Sequence, residues 1–195
     1  MSRTLIAYTS NAGSTEGIAR TIKEGLLTPN STVDILQFKD ATSLEAYDAV
    51  IVGAPMILGW HADALKFLKK HQTALAVKKV AFFAAAISLT YEDPIQFAPL
   101  KLFFDPNLAK KPAKALPSGL REKYTAVSNY LNPMLKAAPD VKPVSVAFFG
   151  GKLDMFRLKW WQAIFVMLVV QAKPGEFRNW DYIRSWGSAL QDLLK

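Results

Sequence analysis

Short, uninterrupted apolar runs alternate along the chain with stretches in which apolar residues recur at helical spacing. Runs of this kind are typical of parallel strands that are buried on both faces. They predict five strands, at residues 5–8, 33–38, 49–53, 80–87 and 144–149. Helices are predicted from about residue 16, over 62–75 and 120–136, and at the end of the chain. This alternation predicts an α/β fold with a doubly wound parallel sheet and right-handed crossovers.

Two segments are additional to this plan, and the 195 residues are predicted to form a single domain that includes them. The first is an insertion at about 90–140, where repeated prolines prevent one long helix. Its proline-rich part is expected to be a surface loop, with a lid as the functional alternative. The second is a basic and apolar segment at about 152–173, whose centre, 160–172, carries no charge. Because it is shorter than the roughly 20 residues that span a bilayer, it is interpreted as a buried helix, a membrane-surface helix or a dimerisation element.

The turn after the first strand is rich in hydroxyl-bearing and small residues. A phosphate-binding loop is predicted from Ser10, Asn11, Ala12, Gly13, Ser14 and Thr15. A phosphate at this position would meet free backbone N–H groups at a helix N-terminus and several side-chain hydroxyls. The turn has neither the lysine of a Walker A loop nor a G-x-G-x-x-G pattern, which favours a mononucleotide phosphate. The alternative is an ordinary turn in which Ser14 or Thr15 caps the helix. Residues 9–15 are called the phosphate cradle below.

Charge is distributed unevenly along the chain. Residues 100–173 hold twelve Lys and Arg against four Asp and Glu, which accounts for the whole formal net charge of +8. A basic region suits nucleic acid, an anionic membrane surface or an anionic substrate, and the absence of a nucleic-acid-binding motif argues against the first. The chain has no cysteine and only two histidines, so neither a disulfide nor a metal site is predicted. No signal-peptide layout begins the chain, so a cytoplasmic location is expected, with peripheral attachment to the membrane as the alternative.

The cradle, the loops after the third and fourth strands, and the strand order together resemble the flavodoxin superfamily. In that family a Ser/Thr-x-Thr/Ala-G-x-Thr loop wraps the phosphate of FMN, and residues 10–15 match it position by position. The resemblance implies a five-stranded sheet of order 2-1-3-4-5 and FMN as the cofactor. It also implies that two loops hold the flavin ring, namely Pro55, Met56, Ile57, Leu58, Gly59 and Trp60 after the third strand and Ala86, Ile87, Ser88 and Leu89 after the fourth. This agrees with the rule that ligands of open α/β sheets bind beyond the carboxyl ends of the strands.

Within the superfamily, the chain is most similar to the quinone-dependent protoporphyrinogen dehydrogenases. Three patterns carry the similarity: a Gly-Ala-x-x-x-x-Gly-x loop at 53–60, a Lys-Lys-His helix ending at 69–71, and a Gly-x-Leu turn at 151–153 followed by basic and aromatic residues. The similarity implies an FMN-dependent oxidoreductase of heme biosynthesis, with two-electron flavin chemistry, a quinone and an anionic small-molecule substrate. Two features depart from that family. The loop is apolar at 56–58, where those enzymes tend to carry an arginine and an aromatic residue, and the proline-rich insertion is longer.

The alternative function is that of a flavodoxin electron carrier, which shuttles single electrons between redox partners. Soluble carriers of this family are typically acidic, whereas this chain is basic, and this favours an enzyme. No side chain is predicted to be catalytic, because the flavin performs the redox chemistry while the protein sets its potential. Trp60 is interpreted either as a ring that stacks on the flavin or as the first core residue of its helix. His61 is interpreted as a helix cap or a surface residue, with a proton or hydrogen-bond donor near the flavin as the alternative.

Overall fold

A computed structural model of the chain describes residues 2–11, 13–56, 59–112, 120–153, 160, 164, 168 and 174–195. Within these residues the strands are β1 (Ser2–Tyr8), β2 (Ser31–Gln37), β3 (Ala49–Pro55), β4 (Lys79–Ala86), β5 (Leu89–Thr90), β6 (Lys101–Phe104), β7 (Ala109–Lys110), β8 (Ser145–Gly150), β9 (Lys152–Leu153) and β10 (Gly175–Glu176). The helices are α1 (Ser14–Leu26), α2 (Ala62–Lys70), α3 (Gln72–Ala76), α4 (Leu120–Tyr124), α5 (Val127–Ala137) and α6 (Trp180–Leu193), with a 3-10 helix at Pro94–Phe97.

One parallel sheet of order β2-β1-β3-β4-β8-β6 forms the centre of the fold. Strands β3 and β8 are buried along their whole length, because helices cover both faces of the sheet. Helices α2 and α5 pack on one face, and α1 and α6 pack on the other. The doubly wound α/β fold is therefore confirmed, and the predicted fifth strand is β8.

The insertion contributes a sixth strand to the sheet, which the sequence did not predict. Strand β6 pairs in parallel with the outer edge of β8, with Lys101 opposite Ser145 and Phe104 opposite Phe148. The prediction of a surface loop is wrong for these four residues. Their apolar run lies between Pro99 and Pro106, so it is too short and too closely flanked by prolines to stand out as a strand.

Two predicted helices are each divided in the structure. The helix predicted over 120–136 breaks between α4 and α5, where the backbone pairs with β5 instead: Thr90 N–H donates to the Thr125 carbonyl at 2.7 Å, and their hydroxyls are 2.7 Å apart. The helix predicted over 62–75 breaks at His71, which ends α2 and precedes α3. No helix among the described residues is long and apolar enough to cross a membrane.

Helices α1 and α6 approach each other closely at two glycines. A Cβ atom on Gly25 would lie 2.4 Å from the Arg184 carbonyl oxygen, and one on Gly187 would lie 2.6 Å from the Ile22 carbonyl oxygen. Both obstacles are backbone atoms, which cannot rotate away, so the helix that closes the fold depends on these glycines to reach the sheet.

We expect Gly187→Val to lower the free energy of unfolding by about 2–3 kcal/mol, because the added side chain would force α6 away from α1. Urea unfolding measures this loss. The matched control is Ser188→Val, which places the same side chain on the exposed neighbouring position of α6. Equal effects of the two substitutions would contradict the close packing of the helices.

Candidate functional site

The phosphate cradle leads from the carboxyl end of β1 into the first turn of α1. Gly13 is the N-cap of α1 and has φ of +78°, a left-handed conformation that glycine adopts without strain. Apart from Gly13 and its chain neighbours, no described residue has an atom within 4 Å of the position that the Gly13 Cβ would occupy. The backbone is therefore open on the outer side of the cradle, where a ligand can approach it closely.

Two hydroxyl groups of the cradle are buried without a hydrogen-bond partner among the described residues. These are Ser10 Oγ and Thr15 Oγ1, and Thr15 is fully buried. Helix α1 also has no side-chain capping bond. The alternative in which Ser14 or Thr15 caps the helix therefore finds no support. A buried hydroxyl without a partner is unfavourable, and a phosphate at the N-terminus of the helix would supply acceptors for both groups and for the free N–H groups.

His61 connects the cradle to the loop after β3. Its Nδ1 accepts a hydrogen bond of 3.2 Å from Asp63 N–H and so caps α2, as predicted. Because Nδ1 accepts, the proton of the neutral ring lies on Nε2, which donates to Asn11 Oδ1 at 3.1 Å. Backbone Thr9 N–H also donates to the Gly53 carbonyl of β3 at 3.1 Å. These bonds hold the first two predicted loops together.

The loop after β3 turns back tightly on itself. Met56 and Trp60 pair across it in an antiparallel bridge, and Met56 N–H donates to the Ala85 carbonyl of β4 at 2.8 Å. Gly59 has φ of +108°, and beyond its chain neighbours no described residue lies within 4 Å of its Cβ position. Pro55 and Met56 are buried, so the tip at Gly59 is the accessible described part. Ile57, Leu58 and the cradle residue Ala12 lie outside the described residues.

Trp60 lies in the core in this structure. Its ring is 4% exposed and packs on Phe82 of β4, with ring centroids 5.6 Å apart. This favours the interpretation of Trp60 as a core residue over flavin stacking. Its Nε1 atom is nevertheless buried without a hydrogen-bond partner among the described residues, so it is available to a ligand or a water molecule.

The loop after β4 is held in place by α5, which belongs to the insertion. The Tyr130 hydroxyl of α5 donates to the Ser88 carbonyl at 3.2 Å, and burial raises the pKa of this hydroxyl well above its usual range. It therefore stays protonated and remains a donor. Ala86 and Leu89 are fully buried, while Ile87 is half-buried. Contacts of Ala86 and Leu89 with a ligand would be made by the backbone.

Arg178 is a residue near the cradle that sequence analysis missed. Its guanidinium forms a two-pronged ion pair with Glu176, which lowers the pKa of that carboxyl, and lies over the Trp180 ring at 4.3 Å from the centroid. It also donates to the Ser14 carbonyl at 3.3 Å. The residue thus ties the segment before α6 to the first turn of α1. Arg178 is 164 positions away from Ser14 in the sequence, and no local sequence pattern predicts such a contact.

Comparison with protein families identifies the chain. A family model described as a flavodoxin domain matches residues 5–179, which include the cradle and both loops. The chain belongs to the flavodoxin family. No curated protein sequence matches it significantly.

Several solved structures are similar to this flavodoxin domain over nearly its whole length. A flavodoxin from the domain Archaea is 13% identical over 98% of each chain, with a TM-score of 0.49. The Fusobacterium nucleatum flavodoxin bound to flavin mononucleotide is 13% identical over 100% of both chains, with a TM-score of 0.48. An oxidoreductase from Corynebacterium diphtheriae is 15% identical over 99% of this chain and 97% of that one, with a TM-score of 0.47. All three TM-scores lie below 0.5, so the family assignment rests on the family model.

FMN is the cofactor that membership of the flavodoxin family implies, and the described residues fit it. The unpaired hydroxyls of Ser10 and Thr15, the open backbone at Gly13 and the N-terminus of α1 suit the phosphate. The loops after β3 and β4 lie beside the cradle because β1, β3 and β4 are neighbours in the sheet. FMN, when bound, supplies hydride and electron transfer.

A hollow of the flavodoxin domain lies directly beside the cradle. It encloses about 460 Å³ between Thr9, the end of β2 with the loop after it, and one side of α2 along its whole length. Lys39, Lys66 and Lys70 line it, together with Asp63. The Phe38 and Phe67 rings, which stack at 4.6 Å, also face it. We call this space the lysine hollow; its charge suits an anionic group and its rings suit an apolar or aromatic body.

Proposed function

We propose that the protein is an FMN-dependent oxidoreductase of the protoporphyrinogen dehydrogenase type. It would oxidise an anionic tetrapyrrole such as protoporphyrinogen IX and transfer the electrons to a quinone. Each turnover removes two electrons and two protons from the substrate and reduces one quinone to the quinol. The observation that carries this proposal is the lysine hollow beside the cradle, because it offers both cationic and aromatic contacts next to the cofactor site.

The residues of the chain would act by binding and positioning. Ser10 and Thr15 would donate to the phosphate, and the backbone of the loops after β3 and β4 would hold the ring. Lys39 and Lys70 would receive the substrate carboxylates. They have no ion-pair partner among the described residues, whereas Lys66 lies 3.8 Å from Asp63. The hydrogen bond between His61 and Asn11 would hold the cradle and the loop after β3 in fixed positions relative to each other.

The charge of the chain supports an enzyme over an electron carrier. Electron carriers that dock on basic partners are acidic, whereas this chain has a net charge of +8. A positive charge suits an anionic substrate instead. The alternative, transfer of single electrons between proteins, shares the cofactor and the cradle. It differs in needing no small-molecule site beside them.

We also propose that the segment at 152–173 attaches the protein to an anionic membrane surface, near its quinone. The three described residues of its centre, Trp160, Ile164 and Leu168, are 76%, 48% and 71% exposed. Their spacing of four residues places them on one side of a helix. Exposed apolar residues next to basic ones suit a helix that lies in the membrane interface. Flotation with anionic liposomes, with and without residues 154–173, tests this attachment.

The experiment that tests the enzyme is anaerobic oxidation of protoporphyrinogen IX by FMN-loaded protein, followed by porphyrin fluorescence in the presence of menaquinone. We expect quinone-dependent porphyrin formation that requires FMN. Lys39→Gln/Lys70→Gln should raise KM about tenfold with kcat little changed, since the lost charges act mainly on binding. Lys69→Gln is the control, because this exposed lysine of α2 lies outside the hollow.

Porphyrin formation no faster than with quinone alone would contradict the enzyme. If the same preparation passes electrons from a flavodoxin reductase to a one-electron acceptor, the carrier is the better assignment. A KM that is unchanged in Lys39→Gln/Lys70→Gln would exclude the lysine hollow as the substrate site while leaving the reaction intact.

A further inference from the structure

A large groove lies at the end of the sheet opposite the cofactor site. It encloses about 760 Å³ at the amino ends of β4, β6 and β8. Lys79 and Lys101, the first residues of β4 and β6, line it. Because β4 is eight residues long, the groove lies about 25 Å from the loops that follow the carboxyl ends. It is therefore a separate feature, and it has the size of small-molecule sites, which are roughly 300–1,000 Å³.

The walls of the groove are mainly aliphatic and come from four parts of the chain. Leu100 of the insertion, Leu131 and Leu135 of α5, Val144 before β8 and Leu193 of α6 contribute to it. Leu131 is fully buried, while the other four are half-buried and leave apolar surface open to the groove. Phe97 is the single aromatic residue among the described lining residues. Walls of this kind fit a flexible hydrocarbon chain better than a flat ring.

The rim of the groove is cationic. Lys79, Lys101, Lys142 and Lys195 lie there with a single acidic side chain, that of Asp192. Lys195 Nζ is 2.6 Å from Asp192 Oδ1, so these two charges compensate each other. The remaining three lysines have no ion-pair partner within the part of the chain that the structure describes. An apolar trough with unpaired cations at its edge is complementary to a molecule with an apolar body and one anionic end.

We propose that this groove binds a single-chain amphipathic carboxylate, with its hydrocarbon tail along the aliphatic walls and its carboxylate among Lys79, Lys101 and Lys142. The insertion builds one side of the groove through Phe97 and Leu100, in addition to its contact with the loop after β4.

Calorimetric titration of the FMN-loaded protein with dodecanoate, below its micelle-forming concentration, tests the proposal. We expect saturable binding of one molecule per chain. Dodecanol, which has the chain without the charge, and acetate, which has the charge without the chain, should each bind at least about tenfold more weakly. Lys101→Glu/Lys142→Glu should weaken dodecanoate binding by about tenfold or more.

The matched control is Lys23→Glu/Lys69→Glu, which changes the net charge equally but lies outside the groove. All four lysines lie outside the hydrophobic core, and the bound flavin spectrum reports that each variant is folded. The absence of saturable binding would overturn the proposal. Equal losses in the two double variants, or equal affinities for dodecanoate and dodecanol, would overturn it as well. Either result would show that the lysines at the rim do not bind the carboxylate.

Discussion

Gly13→Asp is expected to bind FMN about a hundredfold more weakly than Gly13→Asn does. Aspartate and asparagine have nearly the same shape, and both tolerate the left-handed conformation of Gly13 better than other residues do. A Cβ atom at this position meets no described residue beyond the chain neighbours within 4 Å, and this holds for both substitutions. The two variants therefore differ by one negative charge. For charges about 5 Å apart at an effective dielectric constant of about 20, repulsion from one phosphate charge is about 3 kcal/mol.

Fluorescence quenching of FMN by the apo-protein measures both dissociation constants, and thermal unfolding of the apo-proteins shows whether the two variants are equally stable. The comparison isolates electrostatics, because the strain of replacing glycine is common to both. Equal affinities in Gly13→Asp and Gly13→Asn would show that no phosphate binds at the cradle.

Thr15→Val is expected to maintain or raise the stability of the apo-protein while it weakens FMN binding. In the apo-protein it removes a buried hydroxyl without a described partner, so the free energy of unfolding should stay the same or rise by about 1 kcal/mol. In the FMN complex it removes a hydrogen bond to a charged group, which is worth about 1.5–3 kcal/mol. The dissociation constant of FMN should therefore increase about tenfold to a hundredfold.

Thr21→Val is the matched control, since Thr21 is also a buried threonine of α1 but lies six residues beyond the cradle residue. It should leave FMN affinity unchanged. Urea unfolding of the apo-proteins and titration with FMN give the two quantities. A clear loss of apo-protein stability in Thr15→Val with unchanged FMN affinity would mean that the hydroxyl serves the fold and not the cofactor.

The central strands were predictable because their signals are local, and the prediction of the cradle rests on the same kind of local signal. An uninterrupted run such as Ala49–Pro55 is buried on both faces, and hydroxyl residues between a strand and a helix meet the positive end of the helix dipole. Strand β6 was missed for the converse reason. Its four residues form a strand only because they extend an edge of the sheet that β8 leaves open, and no local pattern carries that information.

The contacts that assemble the site were not predictable from sequence, since they join distant positions. The hydrogen bond between His61 and Asn11 and the one between Arg178 and the Ser14 carbonyl depend on how the finished elements pack. Trp60 shows a different limit. An aromatic residue at the start of a helix gives the same pattern whether it faces the core or a ligand, and only the packing on Phe82 favours the core.

This flavodoxin domain is expected to bind FMN through its phosphate, held in the cradle. Titration of the apo-protein with FMN and with riboflavin, which has the same ring without the phosphate, tests it most directly. We predict saturable binding of one FMN per chain, with riboflavin bound at least about a hundredfold more weakly, because the hydroxyls of Ser10 and Thr15 and the N-terminus of α1 would then lack their acceptor. Failure to bind FMN, or equal affinity for the two flavins, would show that the cradle does not hold the FMN phosphate.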